Sequence, residues 1–215
     1  MIFGKIEYLN LLPFHVFMKR FTRSSQEQMS MHYKRGVPSK INKKFISHEV
    51  DAAFISSVKA RKYKNIGLGI IAKKEVQSVI VVPNARDESD TESATSNILA
   101  KALSIKGKVL IGDKALAYSL RNDDYIDLAK EWHTRYNSPF VFALLCYHKD
   151  KQKYKRIQKN FLKQKVKIPR YILVKASKKT AIKENDILEY LKLISYKYDK
   201  KAEHGLKKFY SLLDN

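Results

Sequence analysis

Val50-Asp51-Ala52-Ala53-Phe54-Ile55-Ser56-Ser57 is a mostly apolar run that stops on two hydroxyl residues. The run is too short for a stable helix, and its apolar residues follow one another rather than alternate. It therefore reads as a strand covered on both faces. At Ser56-Ser57 the chain enters a helix. A buried strand that gives way to a helix through small polar residues is the building unit of α/β folds, where ligands sit at the ends of strands.

Reading outward from that run gives the same unit several times. Residues 1–7 read as a strand on Ile2 and Ile6, and Leu9 to Phe21 as a helix opened by Asn10 with Pro13 in its first turn. Gly36-Val37-Pro38-Ser39 turns into a helix carrying Ile41 and Phe45. Leu68 to Ala72 and Ser78 to Val82 are further strands, and the polar, acidic stretch Asn84 to Glu92 is a loop. Ser93-Ala94-Thr95-Ser96 opens a helix that buries Ile98, Leu99, Ala102 and Leu103. Lys108 to Ile111 is a strand ending at Gly112-Asp113, with a helix from Ala115 to Leu120 behind it. Phe140 to Cys146 is an apolar run of strand length after Asn137-Ser138-Pro139.

Tyr154, Ile157 and Phe161 recur at helical spacing within Lys149 to Arg170, which holds ten basic residues and one acid, so a lysine-faced amphipathic helix is expected there. The tail reads as two helices, one on Ile187, Leu191, Ile194 and Tyr198 and one on Leu206, Phe209 and Leu213. The alternation predicts an α/β fold with a mainly parallel sheet.

The strand–helix junctions collect Asn10, Ser39, Ser56, Ser57, Ser93, Thr95, Ser96 and Asp113. Each is open to two readings. Ser, Thr, Asn and Asp are favoured helix caps because their oxygens take free backbone N–H groups, and Asp113 stands where a cap is expected. Yet one helix needs only one cap, and Ser93-Ala94-Thr95-Ser96 offers several hydroxyls beside exposed N–H groups. That is an anion site without a formal cation, suited to a carboxylate.

Composition bounds the rest. The 215 residues are 44% hydrophobic and 30% charged, with 43 Lys+Arg against 21 Asp+Glu and a formal net charge of +22. Such a chain buries a core and attracts anions. No nucleic-acid signature accompanies the charge, and an anionic small molecule accounts for it as well. No apolar run approaches the ~20 residues that cross a bilayer, and Lys5 and Glu7 stand where an export signal would be apolar. A cytoplasmic protein is expected. The single cysteine, Cys146, excludes an internal disulfide and multi-cysteine metal sites. The six histidines show no metal-binding spacing, and no nucleophile elbow, phosphate loop or dinucleotide fingerprint occurs, so no metal and no cofactor are expected.

Tyr8-Leu9-Asn10, Val37-Pro38-Ser39, the Val50–Ser57 run, Ser93-Ala94-Thr95-Ser96, Ile111-Gly112-Asp113-Lys114-Ala115-Leu116 and Glu131-Trp132 through Pro139-Phe140-Val141-Phe142-Ala143 follow one another in this order. In that order, and in the tail from Tyr190 to Leu213, the chain resembles the chorismate dehydratases of the futalosine route to menaquinone over nearly its full length. The resemblance implies a two-lobed fold like the type II periplasmic binding proteins, with a ligand clamped in the cleft. Lobe one would take residues 1–77 and 149–215, and lobe two residues 78–148. Relative to the family the second lobe is small, because the connections at Asn84–Glu92 and Ser104–Lys108 are short.

The implied reaction removes water from chorismate and leaves an aromatic ring. Chorismate carries two carboxylates, so two anion sites are expected. One falls at Ser93, Thr95 and Ser96, the other at Ser56 and Ser57 with Ser78. Asn10 is the expected catalytic residue, orienting the substrate or donating to the departing hydroxyl. Tyr8 and Phe140 would pack on the ring, and Asp113 either holds a hydroxyl or caps its helix. No histidine or glutamate of the matched motifs offers itself as a base. A dihydroxynaphthoate synthase of the same route and a non-catalytic binder of an anionic small molecule remain as alternatives.

Overall fold

The computed structural model describes residues 1–22 and 31–214. In chain order its strands are β1 (Ile2–Lys5), β2 (His32–Arg35), β3 (Ala52–Ser56), β4 (Asn65–Ala72), β5 (Val79–Val82), β6 (Lys108–Ile111), β7 (Ile126–Asp127), β8 (Phe140–Tyr147) and β9 (Ile194–Lys197). They form a six-stranded sheet of order β2-β1-β3-β8-β4-β9 and a three-stranded sheet of order β6-β5-β7. Strand β3, buried at every residue, lies near the middle of the larger sheet, as its unbroken apolar run requires.

The expected mainly parallel sheet is corrected by the pairing. β1 runs parallel to β2 and β3, but β8 is antiparallel to β3 and β4, β9 is antiparallel to β4, and β5 is antiparallel to both of its neighbours. The cause is connectivity. After β4 the chain leaves the larger sheet, builds the smaller one, and re-enters at β8 from the opposite end.

The re-entry also moves a boundary. With Phe140–Tyr147 paired to β3 and β4, the return crossing falls at Asn137–Pro139 rather than near Tyr147, so β8 does not belong with residues 78–139. An apolar run announces a strand and not its partners. The tail needs a second correction. Ile194 and Tyr198 are not on the preceding helix, because Ile194–Lys197 is the edge strand β9. The unexpected strand β2 is likewise an edge strand, and its polar residues hide it from an apolar search.

Helices α1 (Leu12–Phe21), α2 (Pro38–Ile46) and the short α3 (Ser57–Ala60) flank the larger sheet's first half. α4 (Ala94–Ala102), α5 (Gly112–Ser119) and α6 (Leu128–Tyr136) belong to the smaller sheet. α7 (Lys151–Lys163), α8 (Arg170–Thr180), α9 (Glu184–Leu193) and α10 (Lys200–Leu213) complete the chain. On α7 the expected residues Tyr154, Ile157 and Phe161 are the buried ones. Phe161 meets Phe14 of α1 edge-on at 5.2 Å, and Phe14 meets Phe54 of β3 at 5.1 Å, so one aromatic column ties both helices to the central strand.

Two crossings join the sheets. The outward one passes through Val76-Gln77-Ser78, with Gln77 in left-handed backbone at φ 59°. Asp127, the cap of α6, clasps it. One carboxylate oxygen takes the N–H groups of Val76 and Gln77 at 2.9 and 2.6 Å, and the other takes those of Ala129 and Lys130 at 2.9 and 3.1 Å. Asn137 on the return crossing is also left-handed, at φ 45°. It is followed by Ser138-Pro139, against which Gly205 of α10 packs so closely that a Cβ there would lie 2.1 Å from the Pro139 carbonyl oxygen.

Candidate active site

Between the two sheets lies an open cleft. Tyr8, Asn10, Ser56, Ser78, Ser93 and Ser96 all line it. They come from the turn after β1, the end of β3, the outward crossing and the start of α4. Among the described residues that line the cleft there is no Asp, Glu, Lys, Arg or His.

The serines are held by their neighbours in a common way. Ser56 Oγ accepts from Asn42 Nδ2 at 3.0 Å, Ser78 Oγ from the Tyr190 hydroxyl at 2.8 Å, and Ser96 Oγ from Ser93 Oγ at 2.8 Å. A hydroxyl that accepts from the protein keeps its own proton for something else. Ser56, Ser78 and Ser96 thus face the cleft as hydrogen-bond donors. Ser93 is both cap and lining residue, since its Oγ takes the Ser96 N–H at 3.1 Å and closes the first turn of α4.

Asn10 does not cap α1. It lies within a 3₁₀ turn, Leu9–Leu11, ahead of the helix. Its carbonyl accepts from the Tyr196 hydroxyl of β9 at 2.6 Å. Asn10 Oδ1 is left buried with no protein partner, and a polar atom in that condition is costly unless a ligand or water meets it. Burial pushes the Tyr190 pKa up, with Ser78 and Asn10 pulling against it, so the phenol is neutral.

Tyr8 closes one edge. Its ring lies against Gly112, where a Cβ would come within 2.7 Å of it and where φ is +67°. Its hydroxyl donates to Glu92, and burial together with the neighbouring carboxylates holds the phenol well above its ordinary pKa. Asp113 stands beside this edge with another task. Ile111 occupies the cap position of α5, while Asp113 Oδ1 takes the Leu9 N–H at 2.9 Å and joins the two sheets. The expectation that Asp113 caps its own helix is thereby corrected, and it does not line the cleft. Burial raises its pKa, against the pull of the Leu9 N–H and Lys179.

Three further expected residues lie behind the lining. Ser57 and Thr95 are buried and face each other, Oγ to Oγ1, at 3.3 Å, and Thr95 Oγ1 also takes the Val58 N–H at 3.3 Å, a link between the sheets. Phe140 packs in the core against Trp132 at 5.2 Å and Phe209 at 4.9 Å. Its neighbour Phe142 lines the cleft instead. On a regular strand both would share a face, but Ile70 pairs with Ala143 and Ile71 with Val141, so Phe142 is the extra residue of a bulge. Bulges re-aim side chains in this way, and neither composition nor period reveals one.

Sequence reading also missed Asn42, Glu92 and Tyr190. Asn42 and Tyr190 sit on helix faces that count as core, and only the fold turns them toward Ser56 and Ser78. Glu92 closes an acidic loop and is adjacent to the Ser93 motif, which is the one signal that pointed to it. The lysines collect elsewhere. Lys73, Lys74, Lys197, Lys200 and Lys201 line a separate hollow beside the two crossings.

A family model described as menaquinone biosynthesis matches residues 1–107 and 96–215. A chorismate dehydratase of Campylobacter jejuni is 46% identical over 213 residues, covering 97% of this chain and 96% of that protein. Among solved structures, a protein of Archaeoglobus fulgidus superposes with a TM-score of 0.75 at 12% identity, over 99% of this chain and 96% of that one. The periplasmic aliphatic sulphonate binding protein of Escherichia coli superposes with a TM-score of 0.52 at 11% identity, over 98% and 86% of the two chains. The fold is the α/β, two-lobed periplasmic-binding-protein type, with the cleft between its lobes.

Proposed function

The chain belongs to the menaquinone-biosynthesis family, and from that premise we propose that its cleft binds chorismate and dehydrates it to 3-[(1-carboxyvinyl)oxy]benzoate. The observation that carries the reading is a cleft built of neutral polar groups, three serine hydroxyls with free protons and one amide, among the described residues. Such groups bind a carboxylate without neutralising it. One carboxylate sits at Ser93 and Ser96 on the N-terminus of α4, where helix N–H groups add to the hydroxyls. The other sits at Ser56. Thr95 and Ser57 stand behind these residues and fix their spacing.

The ring proton that leaves is on the carbon bearing the ether oxygen, conjugated through a double bond to the ring carboxylate. Its removal spreads charge into that carboxylate, and donors already in place there lower the barrier. The hydroxyl on the next ring carbon then departs, and the ring becomes aromatic. Asn10 Oδ1 accepts from that hydroxyl in the bound substrate and fixes its direction. Ser78, its proton free, is placed to donate to the oxygen as it leaves. No lining side chain is a strong base, so the substrate's own enolpyruvyl carboxylate takes the proton and passes it to the departing oxygen, which leaves as water, while the protein supplies position and field. Tyr8 and Phe142 pack on the ring. Asp113, off the lining, holds the Leu9 turn that presents Tyr8 and Asn10.

The lobes, taken as residues 1–77 with 140–215 and residues 78–139, close on the substrate about the two crossings and exclude water. The futalosine branch and a cytoplasmic place of action are part of the same proposal, carried by the motif resemblance. No helix of the described residues is long and apolar enough to cross a membrane.

The test is chorismate alone with the purified chain, no metal or cofactor added, and product analysis by mass and ultraviolet absorbance. The expected result is a benzoate one water lighter than the substrate. Chorismate recovered unchanged though bound would make the chain a binder and overturn the reading.

A further inference from the structure

Tyr190 is 2% exposed and lies on α9, far along the chain from every motif at the cleft. Its hydroxyl nevertheless reaches the cleft lining, donating to Ser78 Oγ at 2.8 Å. A serine hydroxyl is both donor and acceptor, and left alone it could face a substrate either way. The phenol removes that freedom. With its oxygen engaged, Ser78 turns its proton to the cleft.

We propose that Tyr190 is the positioning residue that sets the polarity of the cleft floor, making Ser78 a donor at the departing hydroxyl. Tyr196 supports the same floor from β9 by donating to the Asn10 carbonyl at 2.6 Å, which fixes the backbone there. The inference rests on the dehydratase reading and adds to it a residue that touches no substrate.

Tyr190→Phe keeps the ring in its buried seat and removes only the hydroxyl. It is expected to lower kcat by about 10–100-fold, since misdirecting prepositioned groups costs this much, with KM moving less than about 3-fold because the interactions are used mainly in the transition state. The loss should shrink at least about 3-fold when the same substitution is made in a Ser78→Ala chain, as coupled partners require. Tyr196→Phe serves as the control for loss of a buried phenol at the same floor, with a smaller fall in kcat. Tyr190→Phe with wild-type kcat, with a loss confined to KM, or with the same fold-loss in both backgrounds overturns the inference. A wild-type chain that turns over no chorismate overturns instead the reading on which it rests.

Discussion

Asn10 Oδ1 meets no protein donor, and at the scale of one residue that is the most consequential fact of the cleft. Asn10→Ala is expected to lower kcat by about 10²–10³-fold, the usual loss when a prepositioned polar group is removed from a reacting centre, read as product formed from chorismate. By contrast, no single His→Gln substitution should lower turnover by more than about 3-fold, because no histidine is among the described lining residues. A histidine variant that binds chorismate and cannot turn it over would show the base to be a side chain. The junction serines were legible as site candidates because hydroxyls at a strand end are a local pattern. The partners that orient them were not, because Asn42, Tyr190 and the bulged Phe142 become neighbours only through tertiary packing.

At the scale of elements, α1 is tied to the chain leaving β1 by His15, whose Nε2 lies 2.7 Å from the Ile6 carbonyl oxygen. Burial holds this imidazole down to about 4, while the unfolded chain titrates near 6.5. Between those values the unfolded chain binds a proton that the folded one refuses, so stability falls as pH falls from 6.5 to about 4 and is fully present above 6.5. The window is worth about 3 kcal/mol. His15→Gln should flatten urea-derived stability across it, and an unchanged slope would refute the assignment.

Helix α10 carries a second element-scale expectation. Glycine in a helix interior costs about 1 kcal/mol relative to alanine, yet Gly205→Ala should destabilise by about 1–3 kcal/mol because its Cβ would collide with the Pro139 backbone. Denaturant midpoints decide the sign. Strands with apolar runs and helices with periodic faces were readable from the sequence. The edge strands β2 and β9 were not, since one side of an edge strand carries no requirement for apolar residues.

At the scale of the molecule, the charge and the chemistry are kept apart. A formal net charge of +22 surrounds a cleft whose described lining has no charged side chain. The field gathers a dianion from a distance, and neutral donors hold it. Raising ionic strength from about 0.02 to about 0.5 M should therefore depress kcat/KM and leave kcat nearly constant, because screening acts on encounter rather than on the closed complex. A kcat that fell in parallel would place the lysines in the chemical step. The two-lobed architecture was legible only through the ordered motifs. Strand direction and the point of return to the larger sheet depend on connectivity that composition does not record.

The floor of the cleft is stitched from opposite ends of the polypeptide, with the Leu9–Leu11 turn held by Tyr196 of β9 and Ser78 by Tyr190 of α9. A ribosome must therefore deliver nearly the whole chain before that floor exists.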